Sequence, residues 1–362
     1  MRTKKFSILF PTTMNKNTKI TFPAEWEKQD AIMLSWPHKN TDWAYMLNEV
    51  KACFKNIAKA IVDNDEHLII IAPNIEEAKT DLTGINLSLV NFYEIPTNDT
   101  WARDTMAITT YNAGKATIND FKFNGWGLKF AADKDNLITS LLYNNTNLFE
   151  KREYANHLSF VLEGGSVESD SKGTLLTTSE CLLSPNRNGA HSKEEIEEYL
   201  KKAFGVNRIL WLDYGALVGD DTDSHVDTLA RFSDDKTIIY TCTNNKDDIH
   251  YNSLQMMKEQ IKSFTTEEGH PYRTFELPLP HPIYDEDGER LPATYANFLI
   301  GNGFILVPTY KQPDIDAAAL AIIQEAFPNH KIIGIDCTSL IKQHGSLHCV
   351  TMQFPQNSLN LQ

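Results

Sequence analysis

Apolar residues recur three and four positions apart over five stretches of this chain, and each stretch predicts a helix. Across residues 42–63, Trp43, Met46, Leu47, Val50, Phe54, Ile57, Ala58 and Ile61 trace one face, with Asp42 placed to cap the start. Across residues 192–205, Ser192 and Glu195 form a capping-box pattern and Gly205 ends the run. Residues 133–143, 252–264 and 314–327 carry the same period more weakly. A short apolar strand is expected after each helix, at residues 67–72, 157–162, 208–212, 272–277 and 331–335.

Hairpins are expected ahead of several helices. Residues 106–111 and 116–123 flank Asn112-Ala113-Gly114, 166–169 and 174–178 flank a glycine-bearing turn, and 298–300 and 304–308 flank Gly301-Asn302-Gly303. Five strand–helix–strand modules of roughly 60–90 residues predict a repeating α/β architecture closed on itself. No low-complexity linker divides them, so residues 20–362 read as a single domain behind a loose leader, residues 1–19.

Composition narrows the function classes. With 41% hydrophobic and 23% charged residues, the 362-residue chain has an ordinary globular balance. Its formal net charge of −14 argues against nucleic acid, which calls for a basic patch, and suits a cationic partner. Cys53, Cys181, Cys242, Cys337 and Cys349 are scattered, odd in number and without a C-x-x-C pair. Neither a disulfide framework nor a zinc site is therefore expected, and a reducing, cytoplasmic setting fits. The start resembles a signal peptide, but its apolar run is too short and no small-residue cleavage site follows. No stretch approaches the ~18 apolar residues of a membrane span.

Candidate chemistry lies in four places. Cys349 sits in His344-Gly345-Ser346-Leu347-His348-Cys349, at a polar approach to an alternating apolar run, where a thiolate nucleophile could be reached. Cys53, Cys181, Cys242 and Cys337 read instead as structural. His225 and Asp227 stand two apart in Asp223-Ser224-His225-Val226-Asp227; a strand over 224–229 would put both on one face. A calcium loop is excluded there, because the sixth-position glycine and the terminal glutamate are missing. Asp104 lies in Trp101-Ala102-Arg103-Asp104-Thr105, and Glu163 precedes Gly164-Gly165, which permit close backbone approach. A cysteine, a histidine and two carboxylates suit hydrolysis of a guanidinium.

Nine ordered motifs carry a resemblance that spans about residues 20–356. They are Phe22-Pro23-Ala24-Glu25-Trp26-Glu27, Ser35-Trp36-Pro37, the Trp101 to Thr105 run, Glu163-Gly164-Gly165-Ser166, the run Thr177 to Asn188, the run Asp221 to Asp227, Tyr295-Ala296-Asn297-Phe298, Val307-Pro308-Thr309-Tyr310 and His348-Cys349. Together they resemble the agmatine deiminases, within the peptidylarginine-deiminase-type branch of the guanidino-group-modifying (pentein) superfamily.

The resemblance implies a five-bladed α/β propeller that needs no metal or cofactor. It implies Cys349 as nucleophile, His225 as general acid/base, Asp104 and Asp227 as guanidinium clamp, Glu163 as the group orienting His225, and Trp101 and Asp221 as substrate-binding residues. It also implies a small guanidino substrate, a place in putrescine formation, and no nucleic-acid or membrane partner; a homo-oligomer is compatible with it. Three positions depart from the family pattern, Met106, Glu168 and Ser346, and are expected to bear on the far end of the substrate. Deimination of arginine or peptidyl arginine, amidino transfer, and non-catalytic guanidino binding are the alternatives. A papain-like peptidase is excluded, since its local cysteine signature is missing.

Overall fold

A computed structural model describes residues 19–361. Except for Lys19, the expected leader lies outside the described residues.

The described residues form five small separate sheets, and one pattern recurs in all of them. An antiparallel hairpin leads into a helix, and the strand after the helix returns parallel to the second hairpin strand. Ile108–Asn112 and Lys115–Lys122 pair in this way ahead of the helix Ile138–Asn145 and the strand Glu153–Val161. Val167–Ser169 and Thr174–Thr178 precede Lys193–Phe204 and Arg208–Leu212. Ala230–Asp234 and Thr237–Cys242 precede Tyr251–Ser263 and Arg273–Pro278. Leu299–Gly301 and Phe304–Thr309 precede Pro313–Ala326 and Lys331–Asp336.

The fifth module is completed across the chain ends. Thr351–Pro355 pairs antiparallel with Gln29–Ser35, which continues through the helix Leu47–Val62 to the parallel strand His67–Ala72. A polypeptide with a repeated unit must begin inside one unit, and joining its last strand to its first sheet leaves that unit closed. Val90–Glu94 adds a fourth strand to this sheet, after a helix at Ile75–Asp81; neither is predicted by the apolar period.

Two further expectations are corrected. Asp42 does not cap the first helix; it opens a 3-10 turn, Asp42–Met46, behind Thr41. Residues 224–229 are not a strand. His225 precedes a 3-10 turn, Val226–Thr228, and the strand begins at Ala230, because Asp223 and Ser224 at positive φ (61° and 66°) break the extended path. The Ala230–Cys242 hairpin was hidden by that misplacement. The capping box at Ser192 and the left-handed Gly205 at the other end of its helix both form as expected.

Helices bury one face each against the sheets. Val50, Phe54, Ile57 and Ile61 of the first helix are fully buried, in the largest of three apolar clusters. Cys53, Cys181, Cys242 and Cys337 are all buried free thiols within these clusters.

Candidate active site

Each module ends its run of loops in a short turn just before its first hairpin strand, and those turns bring the chemical residues together. Asp104 stands ahead of Ile108–Asn112, Glu163 ahead of Val167–Ser169, Asp227 ahead of Ala230–Asp234, Asn297 ahead of Leu299–Gly301 and Cys349 ahead of Thr351–Pro355. All five side chains belong to buried residues. A β-carbon at Gly165 would lie 2.6 Å from Nδ1 of His225 and 3.0 Å from both Asp104 Oδ1 and Asp227 Oδ2. Glycine is therefore required at 165, and two carboxylates and an imidazole converge on one point. Cys349 Sγ lies 3.9 Å from Asp227 Oδ2 and 3.4 Å from Asn297 Oδ1.

Several atoms here have no hydrogen-bond partner. Asp227 Oδ1 and both ring nitrogens of His225 are buried and unpaired. His225 stands 3.6 Å from Asp104 Oδ1 and 3.9 Å from Glu163 Oε2, which are charge contacts, not hydrogen bonds. Burial opposes a charge on His225, but the fields of Asp104 and its other neighbours outweigh it, and its pKa stands well above the usual imidazole value. Burial likewise pushes the Cys349 thiol well above its usual range, and Asp227 and Asp104 push it further. Orphaned buried polar atoms are costly, about 1–3 kcal/mol each, so their concentration beside a thiol marks a place where a ligand supplies the partners.

Glu163 is tied elsewhere. Its carboxylate accepts from Nε of Arg187 at 2.9 and 3.0 Å, and despite burial its pKa is held below normal, first by Arg187 and then by His225. Arg187 also donates through Nη1 to Asp223 at 2.5 Å and through Nη2 to the Thr222 carbonyl at 2.7 Å. One guanidinium thus joins Glu163 to the segment that carries His225. The Cys181 thiol packs beside the same imidazole.

Behind Cys349, His348 bridges Asp227 Oδ2 and Glu25 Oε2 at 2.7 Å on each side. Glu25 in turn meets Arg231 Nη2 at 2.7 Å, and Arg231 Nε donates a short bond to Glu168. Glu163 with Cys181 and His225, and Glu25 with Glu168 and His348, are the two clusters spaced like metal ligands among the described residues. In each an arginine already occupies the carboxylates, Arg187 in one and Arg231 in the other, so the donors fit a resident guanidinium better than a metal ion.

None of the three departures lines the cleft that opens on Cys349. Glu168 neutralises the fully buried Arg231, Met106 packs in the apolar core, and the Ser346 hydroxyl bonds Tyr310 at 2.9 Å. They compensate local packing and charge, not the far end of a substrate. Glu168→Gln is expected to lower stability by about 3 kcal/mol, the low end for a broken buried pair because Glu25 remains on Arg231. Urea unfolding should show that loss while KM stays unchanged.

The cleft itself reaches Asp104 and Cys349 at its floor. Asp227, His225 and Glu163 form the layer beneath. Trp101, Trp126 and Phe130 wall it, and Asp42, Asp99, Asp221 and His344 stand among its other lining groups. A β-carbon at Gly345 would lie 2.2 Å from the Trp101 ring, so glycine lets the Cys349 loop lie close on that indole. Burial and Asp42 push the Asp99 carboxyl above its usual range. Asp221 is half-exposed, 3.8 Å from His344 Nε2.

Residues 21–355 match the family model described as Porphyromonas-type peptidyl-arginine deiminase. The chain belongs to that family. Among similar proteins is "Putative agmatine deiminase" of Legionella pneumophila (strain Paris), 34% identical over 349 residues, covering 95% of this chain and 98% of the relative. Two solved structures resemble this family member over nearly its whole length. One is the "Putative Arginine Deiminase" from Porphyromonas gingivalis, at 50% identity and a TM-score of 0.89, covering 94% of this chain and 99% of the other. Another is the C. jejuni agmatine deiminase with substrate bound, at 38% identity and a TM-score of 0.87, covering 95% and 98%.

For this deiminase-family chain, the motifs located the converging residues but not their supports. Asn297 Oδ1 accepts from the backbone N–H of His348 at 2.9 Å and of Cys349 at 3.3 Å, so it holds the backbone that carries the Cys349 thiol. Asn297, Arg187 and His348 all lie in motifs given above without a role. A polar residue inside an apolar strand approach was the available signal. Trp126 carried no such signal; it donates from Nε1 to Asp104 Oδ2 at 2.9 Å from a segment of no regular period.

Proposed function

We propose that this protein hydrolyses the guanidinium group of agmatine, giving N-carbamoylputrescine and ammonia through a covalent amidino-cysteine. The observation that carries the reading is the buried, partnerless group formed by Asp227 Oδ1 and the two nitrogens of His225 beside the Cys349 thiol. A planar cation with five N–H donors supplies what the Asp227 oxygen lacks.

In the empty site the Cys349 thiol is neutral, held so by burial and by the fields of Asp227 and Asp104. A guanidinium between the two carboxylates cancels that field and favours the thiolate next to the carbon it attacks. Sulfur adds to that carbon, and the adduct collapses by breaking a C–N bond as His225 gives its proton to the departing ammonia. Water then adds to the amidino-thioether, His225 takes its proton, and the C–S bond breaks to release the ureido product and the thiolate. Glu163 acts on His225 through its charge, while its own position is set by Arg187.

The cleft mouth supports agmatine over arginine. Asp42, Asp99 and Asp221 line it, and neither arginine nor lysine does. A distal ammonium meets acids there, whereas an α-carboxylate would be stranded without a cation. The name of the Porphyromonas gingivalis relative favours arginine as a second reading. Assaying ammonia and ureido product from agmatine, free arginine and a peptidyl arginine tests both. We expect kcat/KM for agmatine to exceed that for arginine by at least ~100-fold, equivalent to about 2.7 kcal/mol; equal rates would favour the second reading.

The same reading takes the five matching modules as blades of one pseudo-fivefold propeller, in a single domain, with the five converging turns at its axis. It takes the protein to act in the cytoplasm on a small cationic substrate.

A further inference from the structure

We propose that Trp126 is a positioning residue for the guanidinium clamp, held by a left-handed turn over residues 125–128 so that its indole N–H fixes the carboxylate of Asp104. The inference rests on the deiminase reading and adds a part to it.

Four consecutive residues have positive φ: Gly125 at 69°, Trp126 at 52°, Gly127 at 83° and Leu128 at 70°. The N–H of Leu128 bonds the Asn124 carbonyl, and that of Lys129 bonds the Gly125 carbonyl, both at 3.0 Å, so the segment is one turn of left-handed helix. Glycine is at ease there, but tryptophan and leucine are not. A β-carbon at Gly125 would lie 2.2 Å from the Phe130 carbonyl oxygen. The turn also leaves Leu128 73% exposed while burying Trp126. Folding stability alone gives no reason for such a choice; conformations of this kind persist where the surroundings hold them, often at functional sites.

The surroundings do hold it. The Asn124 side chain accepts from the Gly127 N–H at 2.9 Å and donates to the Asn186 carbonyl at 2.9 Å, next to Arg187. Lys129 Nζ donates to the Asp221 carbonyl and to Asp223 Oδ1, each at 2.6 Å. Both ends of the turn are thus anchored on the segments that carry Arg187 and His225.

What the turn delivers is one donor. Trp126 Nε1 meets Asp104 Oδ2 at 2.9 Å, and the Gly165 N–H meets Asp104 Oδ1 at 2.9 Å. One donor on each oxygen sets the plane of the carboxylate. The ring meanwhile walls the cleft edge-on to Trp101, with centroids 6.5 Å apart. Phenylalanine could fill that wall but could not donate.

The donor also bears on charge. Asp104 faces His225, Asp227, Glu163 and the Cys349 thiol. Burial pushes its carboxyl up and Asp227 adds to this, while His225 and the Trp126 N–H pull it down. The clamp works as a carboxylate, so activity rises with pH through this titration. Losing the donor raises the Asp104 pKa and moves the acidic limb of kcat/KM to higher pH.

The test is Trp126→Phe in the full chain, with agmatine kinetics across a pH series. We expect kcat/KM at neutral pH to fall at least ~10-fold, mostly in kcat, with the acidic limb displaced upward by about half a unit or more. An acidic limb that stays in place overturns the proposal, since loss of a mere wall would slow turnover without moving it. A second measurement needs neither activity nor a folded Trp126→Phe. In enzyme labelled with 15N-tryptophan, one of the indole N–H resonances should move upfield in Asp104→Asn, reporting a weakened bond, and should be the one missing from Trp126→Phe where that variant folds. Indole resonances unchanged by Asp104→Asn overturn the proposal. Wild-type enzyme inactive on agmatine would overturn the substrate reading, while the resonance still decides the Trp126–Asp104 contact.

Discussion

Replacing Cys349 by serine is expected to abolish turnover, by at least ~10⁴-fold or about 5.4 kcal/mol, while the chain still folds and still binds substrate. The hydroxyl is a far weaker nucleophile than a thiolate at neutral pH, and this site has nothing that would ionise it. His225 stands 3.6 Å from Asp104 and is held as the imidazolium by that neighbour's field, so in the resting site it is an acid, not a base. Ionisation depends on the incoming cation lifting the carboxylates' field from sulfur. Acid-quenched mass spectrometry of the wild type should accordingly find an amidino adduct on Cys349. Full activity in Cys349→Ser, or an adduct on the buried Cys53, Cys181, Cys242 or Cys337, would remove the nucleophile from its assigned place.

Asp104→Asn and Asp227→Asn are each expected to cost ~3–5 kcal/mol of transition-state stabilisation, a loss of roughly a hundred- to several-thousand-fold in kcat/KM. Either change leaves the cation half-paired in a buried slot. Asp104 takes one donor on each oxygen, Trp126 on one and the Gly165 N–H on the other, and an asparagine carbonyl can keep only one of them. Asp227 accepts from His348 at 2.7 Å, and its loss reaches on to Glu25 and Arg231. Both variants should therefore also lower the thermal midpoint, Asp104→Asn by leaving one buried donor without an acceptor and Asp227→Asn by weakening the contact with His348. Values of kcat/KM within about tenfold of wild type for either variant would contradict the clamp.

Much of the architecture is written locally. The apolar period places the helix at Leu47–Val62, and the capping box with Gly205 bounds Lys193–Phe204 within a residue, because each rests on contacts three or four positions apart. Asn112-Ala113-Gly114 and Gly301-Asn302-Gly303 mark hairpins for the same reason. The motifs identify Cys349, His225, Asp104, Asp227 and Glu163, since a cysteine, a histidine and acids in polar approaches to apolar strands are uncommon enough to stand out.

What the tertiary structure decided is how those residues are supported. Pairing of Thr351–Pro355 with Gln29–Ser35 joins the two ends of the chain, and no local signal can state a partner more than 300 residues away. Residues 224–229 form a turn where a strand is expected, because Asp220 accepts from Thr222 and Ser224 and pins the loop into positive φ. Arg187 on Glu163 and Trp126 on Asp104 reach back over 24 and 22 residues, and His348 meets Asp227 and Glu25 from 121 and 323 residues away. Whether the departures at Met106, Glu168 and Ser346 touch a substrate likewise depended on which way their side chains face, and packing turned all three away from the cleft. Sequence alone determined the repeated unit and the chemically distinctive side chains, because both follow from neighbours along the chain. Only folding determined their charge states and orientations, since these depend on burial and on partners that the packed modules bring together.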